Sequence, residues 1–331
     1  MKKISILVTT DLQNSIFGEK YFAALRKQGD VNLYDRADFS DVEYVKAFLA
    51  DTDVVVTSWG SPFLSKEYLD VCPNLKLLIH AAGTVKPVVD EKEFIERGIR
   101  VTNSAVALGE GVAETALGLA IAACKGFFTL SKSTRAGEWN EKRTTVKDFY
   151  DITVGVISGG FVGRHFIKLL HNFNVDILLY DPYVSVEQAK ELGVEKAELN
   201  ELLAKSDVIS IHAPSIPATD NMLNETNLPL IKDGAVLINT ARGSIINETA
   251  LIEELKKGRF FACIDVTNPE PPTVENELRY LDNVVLTPHI AGAVMNGKRR
   301  IAKHVCEEME RFAANQALRT EVNLHQLSKM A

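Results

Sequence analysis

The stretch Thr153-Val154-Gly155-Val156-Ile157-Ser158-Gly159-Gly160-Phe161-Val162-Gly163 decides the fold. A β-branched, apolar run leads into a glycine-rich turn, and residues 163–174 beyond it read as a helix. That is the strand–turn–helix context of the dinucleotide fingerprint G-x-G-x-x-G, with Ser158 where the first glycine usually stands. Gly160 would let the backbone approach a pyrophosphate, and Gly163 would permit close helix–strand packing. The helix N-terminus, at Phe161 and Val162, would offer free N–H groups and positive dipole to the anion. Ser158 strains such a turn unless Gly159 takes up the unusual dihedrals. Asp181 lies twenty-three residues after Ser158, at the end of the next strand candidate, Asp176–Tyr180. A carboxylate there can accept both hydrogen bonds from an adenosine ribose and repels a 2′-phosphate. Pro182-Tyr183-Val184 follow and offer no Arg to attract one, which favours NAD over NADP. The plainer alternative is a glycine turn that only packs a helix on a sheet.

Outward from this turn, short β-branched runs alternate with amphipathic stretches along the whole chain, the pattern of βαβ units and parallel sheets. The first third offers strands at 4–8, 31–34, 54–57, 75–80 and 100–102. A long helix is expected over 113–128, with Ala116, Gly118, Ala120 and Ala123 allowing close packing. The second series has strands at 153–157, 176–180, 208–212, 235–239, 261–265 and 283–286. Most are unbroken apolar runs, as expected for strands covered on both faces. Ser185 with Gln188 three residues on forms a capping box for a helix at 186–192. A final charged helix, 296–315, repeats Ile301, Val305, Met309 and Phe312 at helical spacing. With no Pro/Gly linker, the two α/β parts are expected to share a cleft.

The 331 residues suggest about two domains at roughly 150 residues each. Hydrophobic residues make up 46% and charged residues 24%, which excludes a disordered, collagenous or disulfide-stapled chain. With 37 basic and 44 acidic residues the net charge is −7, which disfavours nucleic acid and anionic lipid as partners. Cys72, Cys124, Cys263 and Cys306 share no C-x-x-C spacing and sit among apolar neighbours, as buried reduced thiols do. The apolar run at 4–8 is too short for a signal-peptide core, and 116–124 is half of what spans a bilayer. A cytoplasmic protein is the expectation. The remaining histidines, His80, His165, His171, His304 and His325, form no metal-ligand pattern, so no metal is expected.

In an open parallel sheet, ligands sit beyond the carboxyl ends of the strands. Arg242, Glu270 and His289 each lie just past such an end. Hydride transfer on a hydroxy acid needs a group that holds the carboxylate, for which a planar Arg fork is suited. It also needs a proton donor and acceptor near neutral pH, for which His is suited, and a carboxylate to orient that His. Taken singly, each could be an ordinary loop residue.

In these residues the chain resembles the D-isomer-specific 2-hydroxyacid dehydrogenase family. The likeness rests on residues 154–163, Ser206-Asp207-Val208 through His212-Ala213-Pro214, Ile238-Asn239-Thr240-Ala241-Arg242-Gly243, Ile264-Asp265-Val266 with Glu270-Pro271, and Thr287-Pro288-His289. The resemblance implies an α/β protein of two doubly wound parallel-sheet domains. A Rossmann-type NAD domain, 104–296, would be inserted into a flavodoxin-like substrate domain, 1–103 with 297–331. It further implies that Arg242 binds the substrate carboxylate and carbonyl, that His289 is the acid/base and that Glu270 pairs with it. Asp265 would contact the nicotinamide carboxamide, and Ala213, Pro214, Thr240 and Ala241 would line the cofactor site. His212 would serve structure or cofactor backbone contacts. A loop at 82–87 would grip the substrate through the amides of Thr84, Val85 and Lys86, although Val85 and Pro87 stand where glycine and Asp are common. Lys86 could equally meet a second acidic group or point to solvent. Trp139 resembles a family element near the dimer interface, so a homodimer through the NAD domain is expected, burial within one subunit being the alternative. The activity implied is NAD-dependent hydride transfer between the nicotinamide and a small D-2-hydroxy or 2-keto acid. The rival is a non-catalytic NAD(H)-binding regulator on the same fold.

Overall fold

Strands without polar alternation need cover on both faces, and the computed structural model, which describes residues 2–139 and 146–329, provides it twice. The first sheet holds β1 (Lys3–Leu7), β2 (Asp30–Leu33), β3 (Val54–Thr57), β4 (Leu77–His80) and β5 (Arg100–Asn103). Its order is β2-β1-β3-β4-β5, parallel throughout, which is the flavodoxin-like order. The second holds β6 (Thr153–Ile157), β7 (Asp176–Tyr180), β8 (Glu195–Lys196), β9 (Val208–Ile211), β10 (Val236–Asn239), β11 (Phe261–Ile264) and β12 (Val284–Leu286). These run β12-β11-β10-β9-β6-β7-β8, again all parallel, so the order reverses between β6 and β9 as in a Rossmann sheet. The chain divides into two compact units, 1–108 with 293–331 and 109–292.

Alternate residues of each strand feed opposite cores. In the second unit Val154, Val208, Val236 and Ile238 join one buried cluster, while Ile157, Ile209, Ile211 and Leu237 join the other. In the first unit Ile4, Ile6, Val54, Val56, Leu77 and Ile79 face the helix Lys298–Ala313, whose Ile301, Val305, Met309 and Phe312 fill the same cluster. The chain thus returns to its first sheet at the end. Within that helix Glu308, fully buried, accepts hydrogen bonds from the Thr102 hydroxyl (2.9 Å) and the Arg319 amide (2.9 Å). Arg100 and Glu321 form a two-pronged ion pair at 2.7 Å on the same edge.

Two local readings need correction. The long helix runs Ala105–Cys124, eight residues earlier than expected, and a second helix, Phe127–Arg135, follows it. Gly126, at φ of 63°, breaks the pair, because the left-handed turn ends one helix and begins the next. Ala113, Ala116, Ala120 and Cys124 are the stripe that packs into the core, whereas Gly118 faces open space. At its full length this helix is long and apolar enough to cross a membrane, which the run 116–124 alone is not. The second correction concerns the turn after β6: Gly159 does not take up the unusual dihedrals, and Ser158 itself stands at φ of 80°. The four cysteines are buried and unpaired.

Three histidines are buried and held neutral. Burial pushes His80 down to about 4 and His212 down to about 3, and it also lowers His304, against the opposing pull of Glu308. Their folded values lie below the unfolded value near 6.5, so the stability they contribute is complete above that pH and is lost as pH falls. Between about pH 6.5 and 4, the unfolding free energy should fall by about 1.4 kcal/mol per pH unit for each of His80 and His212. Urea melts across that range check this, and replacing His80 with Gln should flatten the slope. At the glycine turn, relief of a left-handed serine predicts that Ser158→Gly raises stability by about 1 kcal/mol. A lower urea midpoint for that variant would contradict it.

Candidate active site

The turn after β6 is built by close approach. A Cβ on Gly163 would lie 2.0 Å from the Ser158 carbonyl oxygen, so only glycine lets the helix start this near the strand. At Gly160 an added Cβ would meet only the Ser158 hydroxyl, at 3.9 Å, leaving the backbone open. The helix Phe161–Leu170 begins there with no side-chain cap, so its first amides have no partner in the helix or from a capping side chain. Arg164 reaches back from its first turns to the Gly159 carbonyl at 2.8 Å. Asp181, buried at the end of β7, accepts from the Gly159 amide and the Tyr183 amide, both at 2.8 Å, and from the Ser158 hydroxyl at 3.4 Å. The acidic residue therefore pins the turn to the neighbouring strand.

Two side chains at the ends of β9 and β10 each bury one polar atom without a partner. The Thr240 hydroxyl and Nδ1 of His212 meet no hydrogen-bonding atom. His212 rests against Phe166, ring centroids 5.1 Å apart, and its Nε2 lies 3.0 Å from the Ser210 hydroxyl. Ala213 is buried beside it and Pro214 follows. Buried polar atoms are normally satisfied, so an unpaired hydroxyl at a strand end leaves room for a further hydrogen bond. Together with the open Gly160 backbone and the uncapped helix, Thr240 fits a bound dinucleotide.

Past β10 the chain makes a turn that sequence reasoning missed. The buried Asn239 side chain accepts from the Ala241 amide (3.0 Å) and donates to the Arg242 carbonyl (3.0 Å). Arg242 stands exposed on this staple, with Nη1 donating to the Ala241 carbonyl at 2.6 Å. At Gly243 a Cβ would meet the Thr267 backbone at 2.1 Å, so the glycine brings the Arg242 turn against the segment leading to Glu270. The signals were an Asn closing an apolar strand and the Arg-Gly dipeptide after it. Glu270 and His289 are brought together: Oε1 lies 2.6 Å from Nδ1. With that ring nitrogen engaged, Nε2 is left for other chemistry. Both side chains, with Asp265, Thr267, Thr287 and Arg279, line a cavity of about 410 Å³.

In the first unit the loop beyond β4 differs from its expected form. Val85 is buried in the core at an ordinary φ, so nothing there demands a glycine. Its carbonyl accepts the Val88 and Val89 amides, and the Lys86 amide makes one long contact, 3.4 Å, with the Thr84 hydroxyl. Among the described residues the amides of Thr84 and Val85 have no acceptor. Lys86 is half-buried and Pro87 exposed. Trp139 is exposed, which removes burial within one subunit as an account of it. Among the described residues no cluster of His, Cys, Asp and Glu is placed to hold a metal ion.

Residues 117–291 match the family model described as D-isomer specific 2-hydroxyacid dehydrogenase, NAD binding domain. The chain is 32% identical over 323 residues to the D-3-phosphoglycerate dehydrogenase of Methanocaldococcus jannaschii, covering 97% of this chain and 60% of that one. It therefore spans well under two thirds of the length of that relative. With the hydroxypyruvate reductase of Thermotoga maritima it shares 33% identity over 264 residues, 79% of this chain and 85% of the other. The solved structure of a D-2-hydroxyisocaproate dehydrogenase has the same fold, with a TM-score of 0.80 at 24% identity over 97% of this chain and 99% of that one. With sheet order, glycine turn and family match in agreement, the chain belongs to the D-isomer-specific 2-hydroxyacid dehydrogenase family.

Proposed function

We propose that this chain is an NAD-dependent oxidoreductase interconverting small D-2-hydroxy acids and 2-keto acids. The observation that carries the proposal is the 2.6 Å pair of His289 and Glu270, the latter on a segment that Gly243 allows to lie against the Arg242 turn. When bound, the nicotinamide supplies or accepts the hydride. The second unit, 109–292, holds that cofactor through the amides of Phe161 and Val162, the open backbone at Gly160 and the hydroxyl of Thr240. Ala213, Pro214 and Ala241 form the walls around them, and His212, neutral by burial, completes the wall. Asp181, with no Arg after it, accepts from the ribose hydroxyls and selects NAD over NADP.

In the direction of reduction, His289 gives a proton to the carbonyl oxygen, and in oxidation it takes the hydroxyl proton. Glu270 fixes the ring by accepting from Nδ1–H, which leaves Nε2 to exchange the proton. Arg242, exposed and held by the Asn239 staple, presents a fork that matches a carboxylate. The first unit binds substrate through the unpartnered amides of Thr84 and Val85, a pair suited to a carboxylate, with Lys86 beside them. A second copy of the chain is the partner we assign to the second unit. The helix Ala105–Cys124 buries only a narrow stripe and leaves an apolar flank half-exposed, and Trp139 and Phe127 are exposed beyond it. Covering such a flank with its own copy is the usual way a cytoplasmic enzyme avoids leaving apolar surface in water.

NADH oxidation against pyruvate, hydroxypyruvate, glyoxylate and branched-chain 2-keto acids is the decisive experiment. At least one should be turned over, and His289→Ala should lower kcat on the order of a hundredfold or more. No turnover with any acid would sink the proposal in favour of a regulator, and full activity without His289 would remove that residue as the acid/base. Sedimentation at micromolar concentration should give one species of twice the 36.5 kDa chain mass, and a monomer would remove the assigned partner.

A further inference from the structure

The loop that carries His289 is held by one buried carboxylate. Asp265, at the end of β11 and 2% exposed, accepts three hydrogen bonds from it. Oδ1 takes the Thr287 hydroxyl at 2.6 Å and the Ile290 amide at 2.9 Å, while Oδ2 takes the Ala291 amide at 2.9 Å. The Asp265 carbonyl accepts the His289 amide itself, at 2.9 Å. Behind the loop, the Thr115 hydroxyl on the helix Ala105–Cys124 donates to the Ala291 carbonyl at 3.1 Å. Between these fixed points His289 is forced to φ of 51°, in the left-handed region that a non-glycine residue does not choose unaided. A backbone conformation of that kind persists only when its surroundings over-determine it.

We propose that Asp265 and Thr287 are positioning residues for His289. This rests on the reading of His289 as the acid/base. Oδ1 takes Thr287 and Ile290 and Oδ2 takes Ala291, so three of the carboxylate's four acceptor positions are given to this turn. Were Thr287 to lose its hydroxyl, the turn could relax toward extended backbone, swinging the imidazole away from Glu270. The titratable groups facing His289 in its cavity are Glu270, Asp265 and Arg279, and Thr287→Val changes none of their charges.

The test is Thr287→Val beside Thr287→Ser, with Asp265→Asn as a second variant. Thr287→Val should lower kcat by roughly ten- to a hundredfold while NADH Kd and keto-acid KM stay within about twofold, and Thr287→Ser should restore it. Independently of turnover, the downfield proton resonance of the His289–Glu270 hydrogen bond should be lost in Thr287→Val and present in Thr287→Ser, with Glu270→Gln assigning it. Asp265→Asn should lose the same resonance. If Thr287→Val keeps both the resonance and kcat, or if Asp265→Asn weakens NADH binding with the resonance intact, the inference is overturned. A wild-type protein that reduces no keto acid, yet whose resonance responds as described, would leave the clamp standing and remove the catalytic reading.

Discussion

At two places in the second unit a hydrogen must stand where any other residue would put a carbon, and the site depends on both. Gly163 lies so close to the Ser158 carbonyl that a Cβ would overlap it, and Gly243 lies as close to the backbone of Thr267. The first contact brings an uncapped helix end to the end of β6. The second brings the Arg242 turn against the segment that leads to Glu270. Neither could be relieved by moving a side chain, because the opposing atoms are backbone. Parallel strands deliver their carboxyl ends to one edge, but these two approaches turn an edge into a site.

Once the loops are drawn together, their conformations have to be held. Two residues near the proposed chemistry, Ser158 and His289, occupy left-handed backbone without being glycine. Each is tied to a buried acid at the end of the adjoining strand: Asp181 takes the amide after Ser158, and Asp265 takes the amides after His289. The two halves of the site therefore repeat one device, a strand-end carboxylate satisfied by the amides of the next loop. Such a carboxylate is buried and takes several hydrogen bonds from the loop, which is the condition under which burial is tolerable.

What the sequence made legible follows from how local the cause is. Unbroken runs such as 153–157 and 176–180 could be read directly, since burial on both faces leaves a continuous apolar word. The capping box at Ser185 and Gln188 forms as expected, with bonds of 2.9 and 3.2 Å. The start of the long helix at Ala105 was hidden by Gly109 and Gly111, which weaken a helical signal although tertiary packing keeps the helix. Strand β8 is two charged residues paired by β7 alone, and nothing in Glu195-Lys196 announces it. Arg242, Glu270 and His289 could be chosen from strand ends. The direction of the Asp265 carboxylate and the staple made by Asn239 could not, because each depends on bonds to a loop or turn whose path is set by the folded backbone.

The net charge of −7 sharpens how such a chain can hold anions. Under the proposed function each unit does so with few side-chain cations. The groups left without protein partners are mostly backbone: the first amides of the helix Phe161–Leu170 and the amides of Thr84 and Val85. Arg242 adds an exposed side-chain cation, and its backbone is fixed by Asn239. Amides carry no net charge, so they add attraction at one point without making the surface basic, and their direction is set by the turn that bears them. An acidic surface and an anion-binding interior are then compatible, because local backbone geometry rather than global charge does the selecting. Under the proposed function, the second unit's affinity for its ligands then depends on the close approaches at Gly163 and Gly243 more than on any single ion pair.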